Sequence, residues 1–355
     1  MKPNRYLPVK KDEIINIFIT GLSSEGQGVG RVDGFAVFVS RALPGEEVRA
    51  RVALVKKNYA RAELLEIIKS SPERTVENCP AAVDCGGCQL QHMSYRAQLK
   101  YKTQKVKDIL QRIGNLTGVE IHETIGMTNP TRYRNKGQYP IGVKIMEDHS
   151  QRLVAGFFAQ GTHHIIPCDD CFLQRKENNL IVKEFLELAN RYNLTAYNER
   201  TGEGLLRHVL VKTGFATGEM MMVIITNGEE IPRREEICRA LTSKFPALKS
   251  IMQNINTANT NVILGPTTRL LAGREYIEDC LAGLTFRISA ESFYQVNPAQ
   301  TEVLYNKALE YAGLTGGETV LDLYCGIGTI SLLAAGKAKH VYGVEVVEQA
   351  IGDAK

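Results

Sequence analysis

The first seventy residues alternate apolar and polar positions in short runs. IINIFITGL (14–22), GQGVGRVDGFAVFVS (26–40), GEEVRARVALVKKNYARAEL (45–64) and LEIIKS (65–70) are separated by glycine turns. A period near two with frequent turns predicts a small antiparallel barrel of the oligonucleotide-binding type over residues 8–70. Gly26, Gly28, Gly30 and Gly34 read as turn chemistry within it. The period then lengthens. SYRAQLKYKTQKVKDILQRI (94–113) predicts a helix with Ser94 as N-cap and Leu99, Val106, Ile109, Leu110 and Ile113 on one side. LIVKEFLELANRY (180–192) predicts an amphipathic helix, and LLRHVLVKTG with EMMMVIITNG two successive strands. After residue 300 the order becomes helix TEVLYNKALEYAG, strand TVLDLYC, a glycine loop, a helix and strand HVYGVEV. Such alternation opens a doubly wound parallel domain. The chain is thus expected to be a multidomain α/β protein: a barrel (8–70), a central mixed α/β domain (71–290) and the first part of a Rossmann-like domain (291–355).

Charge changes this picture in one respect. Residues 1–70 hold twelve Lys/Arg against eight Asp/Glu, while the remainder balances at 31 of each, so the net charge of +4 belongs to the barrel region. A basic module on a neutral body suits a polyanion, although a solvated surface has the same composition. The predicted helix after the barrel carries Arg96, Lys100, Lys102, Lys105, Lys107 and Arg112 with Asp108 as the one acid among them, which again suits phosphate contact or plain solvation. The chain has no run of about 18 apolar residues and opens without an apolar leader, so a cytoplasmic location and no membrane partner are expected.

The densest chemistry lies at the end of strand TVLDLYC. Asp322 precedes Gly326 and Gly328, and Glu345 ends the next strand, seventeen residues past Gly328. Glycines there let a ligand approach helix amides, and an acid at the next strand end can accept from both ribose hydroxyls of an adenosine cofactor. The dinucleotide fingerprint G-x-G-x-x-G fails because its third glycine is Ser331. An acid just before the loop is instead typical of S-adenosylmethionine enzymes. Cys325 sits inside the loop, facing cofactor rather than substrate, and reads as a small buried thiol rather than a nucleophile.

Five of the eight cysteines cluster in sequence: Cys79, Cys85, Cys88, Cys168 and Cys171. Disulfides are improbable in a cytosolic chain of this size, so the set reads as a metal site. Cys85-x2-Cys88 and Cys168-x2-Cys171 alone have zinc-ribbon spacing, whereas Cys79, Cys85 and Cys88 with one distant thiolate suit an iron–sulfur cluster.

Several segments together resemble the RNA uracil-5-methyltransferases, in particular the 23S ribosomal RNA branch with a TRAM barrel and a 4Fe-4S cluster. They are Cys79 to His92, Tyr133 to Pro140 (YRNKGQYP), Gln253 to Gly265, Phe293 to Pro298 (FYQVNP) and Asp322 to Thr329 (DLYCGIGT). The resemblance spans essentially the whole chain. It implies Cys79, Cys85, Cys88 and Cys171 as cluster ligands, with Cys168 a bystander. It implies Gln295, Tyr324, Thr329 and Glu345 at the S-adenosylmethionine site, joined by Asp322, Gly326 and Gly328. Phe293 would stack on a flipped uracil, and Arg134, Asn135, Lys136 and Gln138 would contact RNA or form an internal polar network. The partner would be structured RNA, most simply 23S rRNA, with no obligate protein partner. The family's chemistry adds a Cys thiolate to uracil C6 so that C5 can attack the methyl sulfonium, after which a base removes the C5 proton. Its nucleophile lies in a D-P-P-R-x-G-type segment, absent from residues 1–355 together with the base. No catalytic residue is therefore assigned, and the expectation is a fragment without activity. Transfer-RNA methylation, an S-adenosylmethionine enzyme with another target atom, and a catalytically dead iron–sulfur RNA-binding protein are the alternatives. A radical mechanism is disfavoured because four ligands leave no open iron.

Overall fold

The computed structural model describes residues 7–354, and these form two compact units divided at Thr128 and Asn129. In the first, β1 (Ile14–Leu22), β2 (Gly28–Val32), β3 (Phe35–Ser40), β4 (Glu47–Val55) and β5 (Tyr59–Lys69) close into a barrel of order β1-β2-β3-β5-β4. Alternation builds it: Val48, Ala50 and Val52 point inward, while Glu47, Arg49 and Arg51 between them are exposed. The barrel is not wholly antiparallel as the sequence suggested. β3 pairs with β5 in parallel, because β4 lies between them in sequence yet closes on β1. Gly30 also proves to be more than a turn residue. A Cβ there would lie 2.6 Å from both Ile17 Cγ1 and the Phe18 carbonyl oxygen, so its lack of a side chain lets β1 and β2 close.

Residues 71–128 pack with the barrel, whereas the sequence placed a boundary near 70. The fully buried Glu46 carboxylate explains this: it accepts from Arg74 Nε (2.6 Å) and Nη2 (2.8 Å), and from the Ser71 amide (3.3 Å). Arg41 pairs with Glu77 and donates to the Ala82 carbonyl at 2.9 Å. Helix α1 (Tyr95–Arg112) begins as expected, with Ser94 Oγ accepting from the Ala97 amide at 3.3 Å. Its apolar side is not buried, however. Val106, Ile109 and Ile113 are 49, 44 and 77% exposed. The helix is held by buried Ala97, which packs with Leu43 and Met93, and by Tyr101 Oη donating to the Ser23 carbonyl (2.6 Å) and Lys105 to that of Ser24 (2.9 Å).

The second unit is built on a seven-stranded sheet. Its strands are β6 (Lys136–Ile145), β7 (Gln151–Phe158), β8 (Ile165–Pro167), β9 (Leu206–Thr213), β10 (Met220–Thr226), β11 (Leu248–Ile255) and β12 (Thr267–Gly273), in the order β12-β11-β10-β9-β6-β7-β8. Helix α2 (Lys176–Arg191) precedes β9, and α3 (Arg234–Lys244) is the crossover between the parallel pair β10 and β11. Central strand β10 is buried on both faces and feeds two cores. Met220, Met222 and Ile224 join Ile181, Phe185 and Leu241 of α2 and α3. Met221, Val223 and Ile225 join Leu281, Phe286, Tyr305 and Ile327 on the opposite face. That second face is covered by the hairpin β13 (Ile277–Leu281) and β14 (Leu284–Ile288), by α4 (Pro298–Ala312), and by the start of the doubly wound region. There β15 (Thr319–Asp322) runs parallel to β16 (His340–Gly343) through α5 (Thr329–Ala335), and α6 (Glu348–Ala354) follows.

Candidate functional site: a glycine loop and the segment braced beside it

The loop between β15 and α5 is organised by two carboxylates. Asp322 Oδ2 accepts from Ser331 Oγ at 2.6 Å, and its Oδ1 from the Tyr324 amide at 3.4 Å. Glu345 reaches across from the end of β16. Its Oε2 accepts from the Gly326 amide (3.0 Å), and its Oε1 from the amides of Val346 (2.8 Å) and Val347 (3.0 Å). Those amide bonds, led by Val347 and Gly326, hold the Glu345 carboxyl below its ordinary range, so it is an anion at neutral pH. Gly326 and Gly328 have φ of +55° and +78°, a region that suits glycine. A Cβ on Gly326 would meet nothing within 4 Å, so the space over the loop is open. Tyr324 stands beside it with 89% of its surface exposed. Thr329 starts α5, and its hydroxyl lies 3.0 Å from Tyr305 Oη of α4. Asp322, Tyr324, Gly326, Gly328, Thr329 and Glu345 are thus gathered at one end of two parallel strands.

Cys325 is half-buried rather than buried as the sequence suggested. Burial first, then the charges of Asp322 and Glu345, push its thiol up, which is the opposite of nucleophile activation. Its sulfur would lie 2.9 Å from a Cβ on Gly343, so glycine at the end of β16 leaves room for it.

A second constellation joins YRNKGQYP to FYQVNP. Asn135 is buried; its amide donates to the Val296 carbonyl at 3.0 Å, and its side-chain Nδ2 to the Gln295 carbonyl at 2.9 Å. Asn135 is therefore a brace, the internal network that sequence left open as an alternative to RNA contact. Lys136 and Gln138 lie in β6 opposite Lys212 and Leu210 of β9, and Arg134 bonds through its amide to the Leu173 carbonyl. Burial first, and then Arg134, lower the Lys136 ammonium. Phe293 sits between buried Ser292 and Tyr294, with 64% of its surface exposed. Asn297 then caps α4, accepting from the Gln300 amide at 3.2 Å.

Residues 8–65 match the TRAM domain. Over 348 residues the chain is 49% identical to an uncharacterized RNA methyltransferase of Halalkalibacterium halodurans, covering 98% of this chain and 75% of that protein. A second such protein, from Caldanaerobacter subterraneus subsp. tengcongensis, is 48% identical with the same coverage. The chain belongs to the RNA methyltransferases. Among solved structures, this methyltransferase is similar to Pyrococcus abyssi tRNA (uracil-54, C5)-methyltransferase in complex with S-adenosyl-L-homocysteine. The TM-score is 0.74 at 26% identity, covering 96% of this chain and 75% of that one.

The five clustered cysteines of this RNA methyltransferase are divided between the two units. Among the described residues no three His, Cys, Asp or Glu side chains converge in a geometry that could hold a metal ion. Cys79, Cys85 and Cys88 lie in the first unit and Cys168 and Cys171 in the second. Locally the sulfurs are well served: the Gly87 amide donates to Cys85 Sγ at 3.4 Å, and Gln91 Nε2 to Cys88 Sγ at 3.1 Å. A hydrogen bond from Cys168 brings the Cys171 thiol down to about 6 against the opposing effect of burial. Spacing identifies the donor type, but convergence depends on the path of the chain between donors.

Lys212 was missed in sequence. It is buried in β9 and donates to the Ser289 (2.7 Å) and Ser292 (2.8 Å) carbonyls, holding the turn that presents Phe293. A lysine inside the apolar run LLRHVLVKTG was the available signal.

Proposed function

We propose that this RNA methyltransferase transfers a methyl group from S-adenosylmethionine to C5 of a uracil in RNA. The observation that carries the reading is the glycine loop with its anionic Glu345, sharing a buried core through Ile327 and Tyr294 with the segment that exposes Phe293 and is braced by Asn135. The likeness to a uracil-C5 methyltransferase bound to S-adenosyl-L-homocysteine supports it. When bound, the cofactor supplies an electrophilic methyl group on a sulfonium. Gly326 and Gly328 admit its nucleoside to the backbone, and Glu345 accepts from a ribose hydroxyl with the Oε2 lone pair its three amide partners leave. Gln295, Tyr324, Thr329 and Asp322 complete that wall. Phe293 offers a flat face for a flipped base, and Arg134 and Lys136 flank the Asn135 that braces its segment. No residue of this chain is assigned as nucleophile or base.

Two targets fit. A TRAM barrel together with the cysteine spacing supports 23S rRNA. The target named for the Pyrococcus abyssi structure supports transfer RNA as the second reading. The 4Fe-4S cluster stays a proposal resting on Cys79 and the family resemblance, since the two Cys-x2-Cys pairs by themselves have zinc spacing, and no step is routed through it. Deleting the encoding gene should remove one 5-methyluridine from large-subunit ribosomal RNA, read by nucleoside mass spectrometry and mapping. Loss from transfer RNA selects the second reading. Unchanged 5-methyluridine in both refutes uracil C5 as the target atom.

A further inference from the structure

A cleft of about 1060 Å³ opens in the second unit between β6, the β7–β8 connection and the segment joining α2 to β9. None of the residues assigned above to cofactor or base lines it. Arg152, Arg200, Arg207 and three histidines do, against two glutamates. One wall carries a prebuilt stack. The rings of Phe158 and His163 lie 5.1 Å apart and within 17° of parallel. His163 Nδ1 is 2.6 Å from Glu199 Oε2, which fixes the imidazole in place, yet 55% of the His163 side chain is exposed. One ring face is closed by Phe158 and the rest of the ring is open. Nearby, Arg207 holds Tyr197, its guanidinium 4.3 Å from the ring centre, while it donates to the carbonyls of Asn256 (2.7 Å) and Ala258 (2.8 Å). His208, also lining the cleft, buries its Nδ1 without a hydrogen-bond partner. Burial and the adjacent Arg207 push this imidazole down to about 4, so it is neutral at pH 7 and adds no charge to the cleft.

We propose that this cleft is a second RNA subsite, where an unpaired nucleotide away from the methylated base stacks on His163 and runs its phosphate past Arg200. An open aromatic stack takes another planar ring, and a guanidinium beside it takes phosphate; together they describe a nucleotide. The inference rests on RNA being the substrate. A free nucleotide offers the same chemistry, so the test separates the two.

The full chain is photocrosslinked to a single-stranded uridine dodecamer carrying 4-thiouridine, and the adducts are mapped by mass spectrometry. Crosslinks are expected in residues 158–165 or 193–208. His163→Ala should weaken binding of the same dodecamer on the order of ten-fold. Arg200→Ala should flatten the dependence of log K on log salt by about 0.7, the value for one phosphate on a single strand. Both variants should bind S-adenosylhomocysteine as the parent does, which excludes misfolding. Crosslinks confined to other segments, or parental affinity in both variants, overturn the subsite. Loss of adduct formation when equimolar uridine monophosphate is present before irradiation assigns the cleft to a free nucleotide and overturns it as an RNA site. If the parent binds S-adenosylhomocysteine but no RNA, the RNA reading itself fails and this one with it.

Discussion

Replacing Asn135 with aspartate changes one atom type in a buried brace. Nδ2 of Asn135 donates to the Gln295 carbonyl at 2.9 Å, and the residue is 4% exposed. In the Asn135→Asp variant an oxygen faces that carbonyl. The lost hydrogen bond is worth about 1 kcal/mol, and a buried carboxylate opposing a carbonyl adds about 2 kcal/mol more. If Gln295 contacts the cofactor, much of that total of roughly 3 kcal/mol appears as weaker binding, up to about a hundred-fold. Asn135→Ala loses the hydrogen bond without the repulsion, so its effect should be about five-fold. The sign of the pH dependence follows. Once protonated, the introduced carboxyl can donate to the carbonyl, so the Asn135→Asp variant should recover affinity as pH falls and lose it as pH rises. Isothermal titration with S-adenosylhomocysteine between about pH 5.5 and 8 reads all three effects. A variant with a lowered melting temperature but parental affinity at every pH would falsify the claim that this brace positions the cofactor wall.

Four further outcomes are expected. Glu345→Gln should weaken S-adenosylhomocysteine binding about ten-fold and also lower the melting temperature, because its NH2 must face a backbone amide that a carboxylate oxygen now serves and hydrogen bonds to a charged acceptor contribute about 1.5–3 kcal/mol; equal affinity removes Glu345 from the site. Glu46→Gln should destabilise the barrel unit by about 3 kcal/mol in urea titration, because it breaks a buried pair with Arg74. Burial alone would raise the Glu46 carboxyl, but hydrogen bonds from Arg74 and the Leu43 amide, with the Arg74 charge, hold it below its ordinary range. Its stabilisation is therefore complete above the unfolded carboxyl value and disappears as pH falls through the lower folded one, and the variant should lack that acid-range slope. Phe293→Ala should leave the melting temperature unchanged and reduce crosslinking at the target uracil, whereas a large melting shift would make it a packing residue. Finally, anaerobically purified chain should carry about four irons with absorption near roughly 400 nm, lost in Cys171→Ala but retained in Cys168→Ala; one zinc and no colour would replace the cluster with a zinc ribbon.

Short-range chemistry was legible in the sequence. Alternation in VRARV needs only neighbouring residues to place Val48, Ala50 and Val52 inward, and Ser94 caps α1 across three residues. The loop from Asp322 to Gly328 with Glu345 was readable for the same reason: its turn geometry is local, and the strand that returns the acid is one crossover away. What lay beyond reach depends on contacts between distant segments. The parallel pairing of β3 with β5 follows from barrel closure. Asn135 meets Gln295 across 160 positions, and Lys212 meets Ser292 across 80. The exposed side of α1 shows the converse, since periodicity marks a face as apolar without supplying anything to cover it. The cysteines and the cleft divide in the same way. Residue type and spacing name a thiolate donor or a stackable ring, but only the folded path of the backbone decides which of them converge, because proximity between distant segments is set by the packing of the whole sheet.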